Sequence, residues 1–577
     1  MSIVDFLLGR PLASSEERGE QIGVAAGVPI FGLDALSSAA YGPEAALTLL
    51  IPLGLAGLGY IVPLSASIIT LLIIVFFSYR QTIAAYPGGG GSYTVARENL
   101  GSFAGLLAAA ALMIDYVLTA AVGISAGIGA LISAVPALHA HTLALCLGAL
   151  VLLTIVNLRG LREAGVIFRI PTYLFLFCMF TVIAIGVVKT LVSGGHPQPV
   201  LAPPRVPAAV EAVGIWILLK AFASGCTAMT GVEAVSNGVK AFRETKLAQR
   251  TLAIIIASLV VMLGGIAYLV HSYGIAATDP SSSNYQSVLS MLFTAVSGRG
   301  VFYYVSIASV LLVLIFSANT AFADFPRVCR VVAQDGFMPI SFANRGRRLV
   351  YSEGIWVLAI VTAILLTIFG GVTDRLIPLF AVGAFLAFTL SQAGMVAHWK
   401  RERGPGARRS MFVNGLGAFV TGITVLIVLV AKFTEGAWVT AVMIPALLTF
   451  LYSVHRHYEH IHQQVSSDTP LNLRNVSEPM VVIPLQQWSV IGKRGLQLAM
   501  VLSKEVKVLH ITSADKEPDI FCAKWDEFVA EPAKAAGYPA PELVIIESPY
   551  RFVVQPIVDF AAKLARDNTD RRILVGV

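Results

Sequence analysis

Asp34, Asp115 and Glu233 are acids set inside long apolar stretches of this chain. Asp34 lies in PIFGLDALSSAAYGPEAALTLLIP, between Pro29 and Pro52, together with Tyr41, Gly42, Pro43 and Glu44. A carboxylate within a bilayer costs roughly 2.5 to 3.5 kcal/mol on insertion scales, so it is expected to face a cavity, a countercharge or a transported ion. Gly42-Pro43 gives this stretch a reason to break, because proline removes a backbone donor and clashes with the carbonyl four residues back. Asp115 and Thr119, in ALMIDYVLTAAVG, are four apart and fall one turn apart on one helix face. In GIWILLKAFASGCTAMTGVEAVSNGV, Ser224, Thr227, Thr230 and Glu233 recur every three residues, a column of oxygens on one face.

Carboxylate, hydroxyl and freed carbonyl oxygens are what a hard, dehydrated cation such as potassium or sodium needs in place of its hydration shell. Where several carboxylates share a site, one of them can bind a proton and provide coupling, because burial favours the neutral acid. Each residue also has a plainer reading. Asp34 and Asp115 can pair structurally with Lys220, itself intramembrane, as a countercharge. The hydroxyls of Thr119, Ser224, Thr227 and Thr230 can bond carbonyls of their own helices. Glu44, nearer a helix end, belongs either to the site or to an outer vestibule, and His139 and His141 read as solvated loop residues.

These side chains must be positioned by membrane helices. Of 577 residues 56% are hydrophobic and only 13% charged, and the mean hydropathy of +0.76 lies outside the range of soluble globular domains, so the chain reads as polytopic. Apolar runs of spanning length predict twelve transmembrane helices, at about 28–52, 58–80, 102–134, 141–158, 166–189, 212–238, 250–274, 300–325, 353–371, 375–398, 412–432 and 436–456. Lys and Arg outnumber Asp and Glu by 41 to 34, and the excess sits in alternate loops. With the N-terminus inside, the inner loops hold Arg80 and Arg97, Arg159, Arg162 and Arg169, Lys240 to Arg250, Arg327 to Arg348, and Lys400 to Arg409. The basic residues are therefore orientation signals, both termini are expected to be cytoplasmic, and no nucleic-acid partner is implied. The N-terminal MSIVDFLLGRPLASSEERGEQ has too short an apolar run and too many charges for a signal peptide. Five scattered cysteines give neither a disulfide framework nor a metal site.

The organisation expected is a cytoplasmic segment over 1–25, a transporter domain over 26–456, a linker over 457–470 and a cytosolic α/β domain over 471–577. That last domain is read from the strand runs MVVIPL, VKVLHIT, ELVIIES and RRILVGV alternating with helical stretches. It lacks a Gly-rich phosphate fingerprint, which favours regulation or dimerisation over catalysis. The sequence stops at Val577 directly after a strand run, as a shortened chain would or a domain without a final helix. Helices one and six are both interrupted and hold matching places in two sets of five, the mark of inverted-repeat secondary transporters with a mid-membrane site. Pro87 to Gly91, in AYPGGGGSYTVARENLG, reads as a gate hinge or tight turn, since no Lys-Ser/Thr follows to make a phosphate cradle.

YPGGGGSYTVARENLG, ADFPRVCRVVAQDGFMP and the two interrupted helices resemble the amino acid–polyamine–organocation superfamily. Within it, LDALSSAAYGPEA, IDYVLTAAVG and ASGCTAMTGVEAVSNGV resemble the KimA-type potassium transporters of the KUP group, over about residues 20 to 456. The resemblance implies a LeuT-type five-plus-five fold and potassium uptake coupled to protons, with Asp34, Tyr41, Asp115, Thr119, Thr230 and Glu233 placed where that group has its ion and proton ligands. It implies homodimers joined through the cytosolic domain and a regulatory nucleotide there, although the domain ends earlier than that group's pattern.

The function expected is thus a proton-coupled potassium importer of the bacterial cytoplasmic membrane, surrounded by lipid, working by alternating access and without a cofactor. Potassium is expected at Asp34, Tyr41, Asp115, Thr119, Thr227 and Thr230, and the proton at Asp34, Asp115 or Glu233. An amino acid carrier fits less well, because Asp34 repels a carboxylate; a polyamine or other organic cation escapes that objection. An ion-sensing receptor lacks an effector motif, and an enzyme lacks a catalytic constellation within the spans.

Overall fold

The computed structural model describes residues 22–89, 91–160, 164–279, 282, 285–346, 350–466, 477–513, 520–548 and 554–576. Most of the expected N-terminal segment, Gly90 of the glycine run, Arg162, Arg347, Arg348 and the end of the expected linker lie outside the described residues. The chain divides into two compact units, one ending at Val465 and one beginning at Ser466.

Among the described residues of the first unit, ten helices are long and apolar enough to cross a membrane, and an eleventh span arises if one bent pair counts as one. The bent pair is α1 (Val24–Phe31) and α2 (Leu33–Leu50), which meet at 48°. Then come α3 (Ile61–Ala85), the short α4 (Ser92–Leu100), α5 (Ser102–Ala134), α6 (Thr142–Arg159), α7 (Ala164–Val192) and α8 (Ile215–Gly225). They are followed by α9 (Thr245–Tyr273), α10 (Val288–Ser297), α11 (Val301–Gln334), α12 (Ser352–Ile368), α13 (Val382–Glu402), α14 (Ala407–Lys432) and α15 (Ala437–Val465). At 1.5 Å per residue the 17 residues of α12 reach only about 25 Å, somewhat less than a hydrocarbon core. The central helix is α5, whose apolar stretch is 89% buried. Its alanines and glycines allow α11 to pack close: a Cβ at Gly123 would stand 2.7 Å from Ser317 Oγ.

The first span does not break where the proline pattern predicts. Gly42 and Pro43 sit inside an unbroken α2, and the bend falls at Gly32 instead. A single interior proline deletes one backbone bond and can be absorbed in a packed membrane helix. Gly42 serves packing, since a Cβ there would lie 2.5 Å from Ala228 Cβ. At the true bend, Pro29 frees the carbonyl of Ala25, and the Tyr173 hydroxyl donates to it at 3.2 Å.

The sixth span is interrupted as expected. After α8 the chain tightens to a 3-10 turn over Cys226–Met229, Thr230 is extended (φ −67°, ψ 154°), Gly231 turns left-handed at φ +75°, and a four-residue helical turn follows over Ala234–Asn237. A third interruption, which sequence patterning missed, precedes α13. There a 3-10 turn Ile377–Leu379 leads to Ala381, one of two non-glycine residues with positive φ (+69°) among the described residues. Beyond the sixth span the chain returns to α1: Ile22 N–H donates to Ala241 O at 2.8 Å and Arg243 N–H to Ile22 O at 3.3 Å. Beside this bridge Phe31 stacks on Phe242, ring centres 5.3 Å apart.

The second unit holds a four-stranded parallel sheet, β1 (Met480–Pro484), β2 (Val506–Ser513), β3 (Glu542–Ser548) and β4 (Ile573–Val575), in the order β3-β2-β1-β4. Val481 pairs with Val506 and with Leu574, and Val508 with Leu543. Helix α16 (Val490–Leu502) makes the crossover between the neighbours β1 and β2, as a parallel pair requires, and α17 (Val554–Asp567) leads from β3 at one edge to β4 at the other. The strands match the four runs read from sequence, and buried Val481, Val508, Leu496, Phe521 and Trp525 form the core.

Candidate functional site

The bend at Gly32 starts α2 directly before Asp34, so this carboxylate lies in the first turn of an 18-residue helix, where the exposed amides and the helix dipole favour negative charge. Asp34 is 3% exposed. Its carboxyl rests against Gly231 so closely that an added Cβ would lie 2.6 Å from Asp34 Oδ2. The left-handed turn after Thr230 therefore needs glycine twice, for its φ and for the approach of Asp34. Two further ties hold α2 to the unwound segment. Tyr41 OH and Thr230 Oγ1 share a hydrogen bond of 3.1 Å, and Ser38 Oγ donates to Ala228 O at 2.7 Å.

From the other side α5 brings Asp115 and Thr119, buried and one turn apart. The break before α13 has a purpose at this point: it turns the first amides of that helix toward Asp115, which accepts the Ala384 N–H. Gly383 lets the backbones meet, because a Cβ there would stand 2.6 Å from Ala111 O and 3.2 Å from Asp115 Cβ. Glu233, 1% exposed, follows the unwound segment. Asp34, Asp115 and Glu233 are near enough for their charges to act on one another, and Asp324 of α11 acts on Asp34 and Glu233 in the same way.

Four of these residues, Asp324 not among them, keep an oxygen unused by the protein. Asp34 Oδ1, Asp115 Oδ1, Thr119 Oγ1 and Glu233 Oε2 are buried without a hydrogen-bond partner among the described residues. Such groups are costly unless something else meets them, and carboxylates with no base beside them suit a cation. Among the described residues no three acid, His or Cys side chains gather tightly enough to ligate one metal ion. The mixed carboxylate and hydroxyl oxygens left over suit a monovalent cation better than the all-carboxylate cage of a divalent ion would.

Several expectations change. The oxygen column along one helix face does not form, because the helix is broken at its third member. Thr227 Oγ1 instead donates to Ser224 O at 2.6 Å and Thr230 Oγ1 to Thr227 O at 3.2 Å, the local bonding hydroxyls commonly adopt in membrane helices. Thr230 is still tied to α2 through Tyr41, whereas Thr227 points its bond into its own turn. Lys220 does not neutralise Asp34 or Asp115. Its Nζ lies 2.7 Å from Glu435 Oε1, and Lys432 Nζ lies 2.7 Å from Glu435 Oε2. One acid thus holds two lysines and ties α8 to the end of α14. Substituting Glu435→Gln leaves two cations adjacent, Lys432 with only 4% of its side chain exposed, and is expected to destabilise by about 3 kcal/mol. A drop of several degrees in the apparent melting temperature in detergent checks this, with Lys220→Met expected to cost less, since Glu435 then keeps Lys432.

Sequence reading missed Asp324, 5% exposed and bonded to Arg327 at 3.0 Å. Its arginine three residues on made it resemble a loop charge. The apolar run was the available signal: Asp324 lies ten residues before the end of α11.

With this geometry established, two comparisons bear on it. Residues 25–452 match the family model described as amino acid permease, and residues 476–577 match the KimA potassium transporter C-terminal domain. The chain is 35% identical over 567 residues to the potassium transporter KimA of Bacillus subtilis (strain 168), covering 97% of this chain and 90% of that protein. Membrane unit, second unit and near-full-length similarity all lead to one assignment: the chain belongs to the KimA group of the amino acid–polyamine–organocation transporters.

Proposed function

We propose that the protein is a proton-coupled potassium importer. The observation that carries this reading is the set of buried, unpartnered oxygens on Asp34, Asp115, Thr119 and Glu233 beside two helix breaks, together with the potassium transport named for its 35% identical relative. Asp34, Tyr41, Asp115, Thr119, Thr227 and Thr230 are the proposed ion-binding residues; Asp34, Asp115 and Glu233 are the proposed proton carriers. Three neighbouring carboxylates cannot all stay ionised out of water, and one monovalent ion offsets only one charge. Protons must offset the rest, so occupancy by potassium and by protons is linked.

In this reading the membrane part has twelve spans, α12 being the short one, in a LeuT-type five-plus-five arrangement. The chain divides into a cytoplasmic segment over 1–25, a transporter domain over 26–456, a linker over 457–470 and a cytosolic α/β domain over 471–577. Both termini face the cytoplasm of a bacterial cell, as the basic loops favour. The two repeats rock about the pocket in alternating access, and the membrane potential favours entry by about 2.3 kcal/mol per charge per 100 mV. Homodimerisation and regulation by a nucleotide are assigned to the second unit.

Potassium uptake into proteoliposomes under proton gradients of either sign tests the proposal. At clamped voltage, an inward proton gradient is expected to accumulate potassium and an outward one to export it. Potassium flux indifferent to the proton gradient removes the coupling, and its absence in intact protein removes the substrate.

A further inference from the structure

A second carboxylate of α2, Glu44, lies nearer the outer end of the helix than the ion pocket does and is 8% exposed. Both its oxygens are engaged by one short stretch of chain. The Tyr285 hydroxyl donates to Oε1 at 2.7 Å and the Val288 amide to Oε2 at 3.1 Å. Between them the Ser287 amide donates to Ser133 Oγ of α5 at 2.9 Å. Residues 285–288, leading into α10, are thus pinned to the two helices that carry Asp34 and Asp115. Behind the pin lies a cavity lined by Tyr41, Glu44, Ala130, Tyr285, Thr373 and Asp374. It runs from the tyrosine of the ion pocket to the pinned stretch, and Glu44 and Asp374 both face it.

The chemistry of the pin is asymmetric. A carboxylate is held by two neutral donors, bonds of the charge-assisted kind, while a second carboxylate shares the cavity. A monovalent cation entering from outside satisfies Glu44 better than a phenol and an amide do, and offsets its repulsion with Asp374. We infer that Glu44 is an ion-released latch: it holds residues 285–288 across the outer mouth of the pathway, and an arriving potassium ion takes its carboxylate and frees that stretch. Recognition of the cation and opening of the outer mouth are then one event. This rests on the potassium-uptake reading and on its orientation.

The test is labelling from outside, in sealed proteoliposomes, of Ala130→Cys with a membrane-impermeant thiol reagent; the same chain without the new cysteine reports the native ones. Adding Tyr285→Phe to Ala130→Cys is expected to raise the labelling rate about tenfold without potassium, the equivalent of one lost hydrogen bond to a charged group. Potassium, compared with N-methylglucamine, is expected to raise the rate several-fold when Glu44 is present and to leave it unmoved with Glu44→Gln, whose neutral amide can keep the pin but not attract the ion. Equal labelling with and without Tyr285→Phe overturns the latch. Potassium that leaves labelling unmoved in vesicles that do take potassium up also overturns it, and spares the transport reading; vesicles showing neither flux nor response remove both.

Discussion

Asp34→Asn and Asp115→Asn are each expected to lower potassium uptake about 100-fold while leaving the protein folded and no less stable. Both substitutions keep the shape of the side chain and delete a charge. Each acid sits at the start of a helix, Asp34 in the first turn of α2 and Asp115 against the first amides of α13, so an asparagine oxygen still has donors to face. What disappears is the attraction for the ion, and with it the repulsion among neighbouring acids. Losing one charged ligand is expected to lower uptake at subsaturating potassium about 100-fold, equivalent to about 2.7 kcal/mol. Thermal unfolding separates this from misfolding. Potassium is expected to raise the melting temperature of the unaltered chain, as any ligand of the native state does, and to do nothing for either variant, whose melting without potassium equals or exceeds that of the parent. Uptake at the parental rate in Asp34→Asn would sink the assignment of that residue.

Gly231→Ala is expected to lower transport more than about tenfold without altering any proposed ligand. The added methyl meets two obstacles. Gly231 has φ +75°, a conformation that costs an L-residue about 1 to 2 kcal/mol, and the new Cβ would lie 2.6 Å from both Cβ and Oδ2 of Asp34. Either Asp34 withdraws from the pocket or the unwound segment moves away from α2, breaking the 3.1 Å contact of Thr230 with Tyr41. Gly264→Ala, in the same class of membrane helix, is the control: its Cβ would meet only Ile69 Cδ1, at 3.7 Å. Uptake more than about tenfold lower in Gly231→Ala, beside parental uptake in Gly264→Ala, is the expected result. Equal uptake in both would mean that the Asp34–Gly231 contact is incidental.

The buried acids were legible in the sequence because membrane chemistry is unforgiving. An acid within an apolar run stands out, and Asp34, Asp115 and Glu233 each did. The strands of the second unit were legible for the converse reason: Met480–Pro484, Val506–Ser513 and Glu542–Ser548 are short apolar runs bounded by polar residues. What the sequence could not convey was where backbones yield. Proline at 43 and proline at 29 have the same local effect, yet only the stretch following Pro29 bends, and both glycines nearby are closely packed, Gly42 against Ala228 and Gly32 against Ile255. Ala381 carries no mark of the strained conformation it adopts, since alanine seldom has positive φ. Lys220 was assigned to the wrong acid because its partner, Glu435, comes from a helix more than 200 residues later. Long-range pairing of this kind is decided by tertiary packing alone.

In the proposed orientation, the bridge between Ile22 and Phe242 limits how many independent motions the inner half of the pathway has. It joins the beginning of α1 to the chain just beyond the interrupted sixth span through two backbone hydrogen bonds, and Phe31 and Phe242 face each other beside it. The fit is close on both sides, since a Cβ at Gly238 would strike the Phe31 ring at 2.1 Å and one at Gly27 the Phe242 ring at 2.6 Å. The two half-helices that flank the acids on this side are therefore yoked, with Gly32 as fulcrum. An eight-residue lever is about 12 Å long, so a swing of about 15° carries its tip about 3 Å. A door with two leaves can stand half open and leak; one whose leaves are fastened together is either shut or open, and the proposed coupling of ion to protons depends on that.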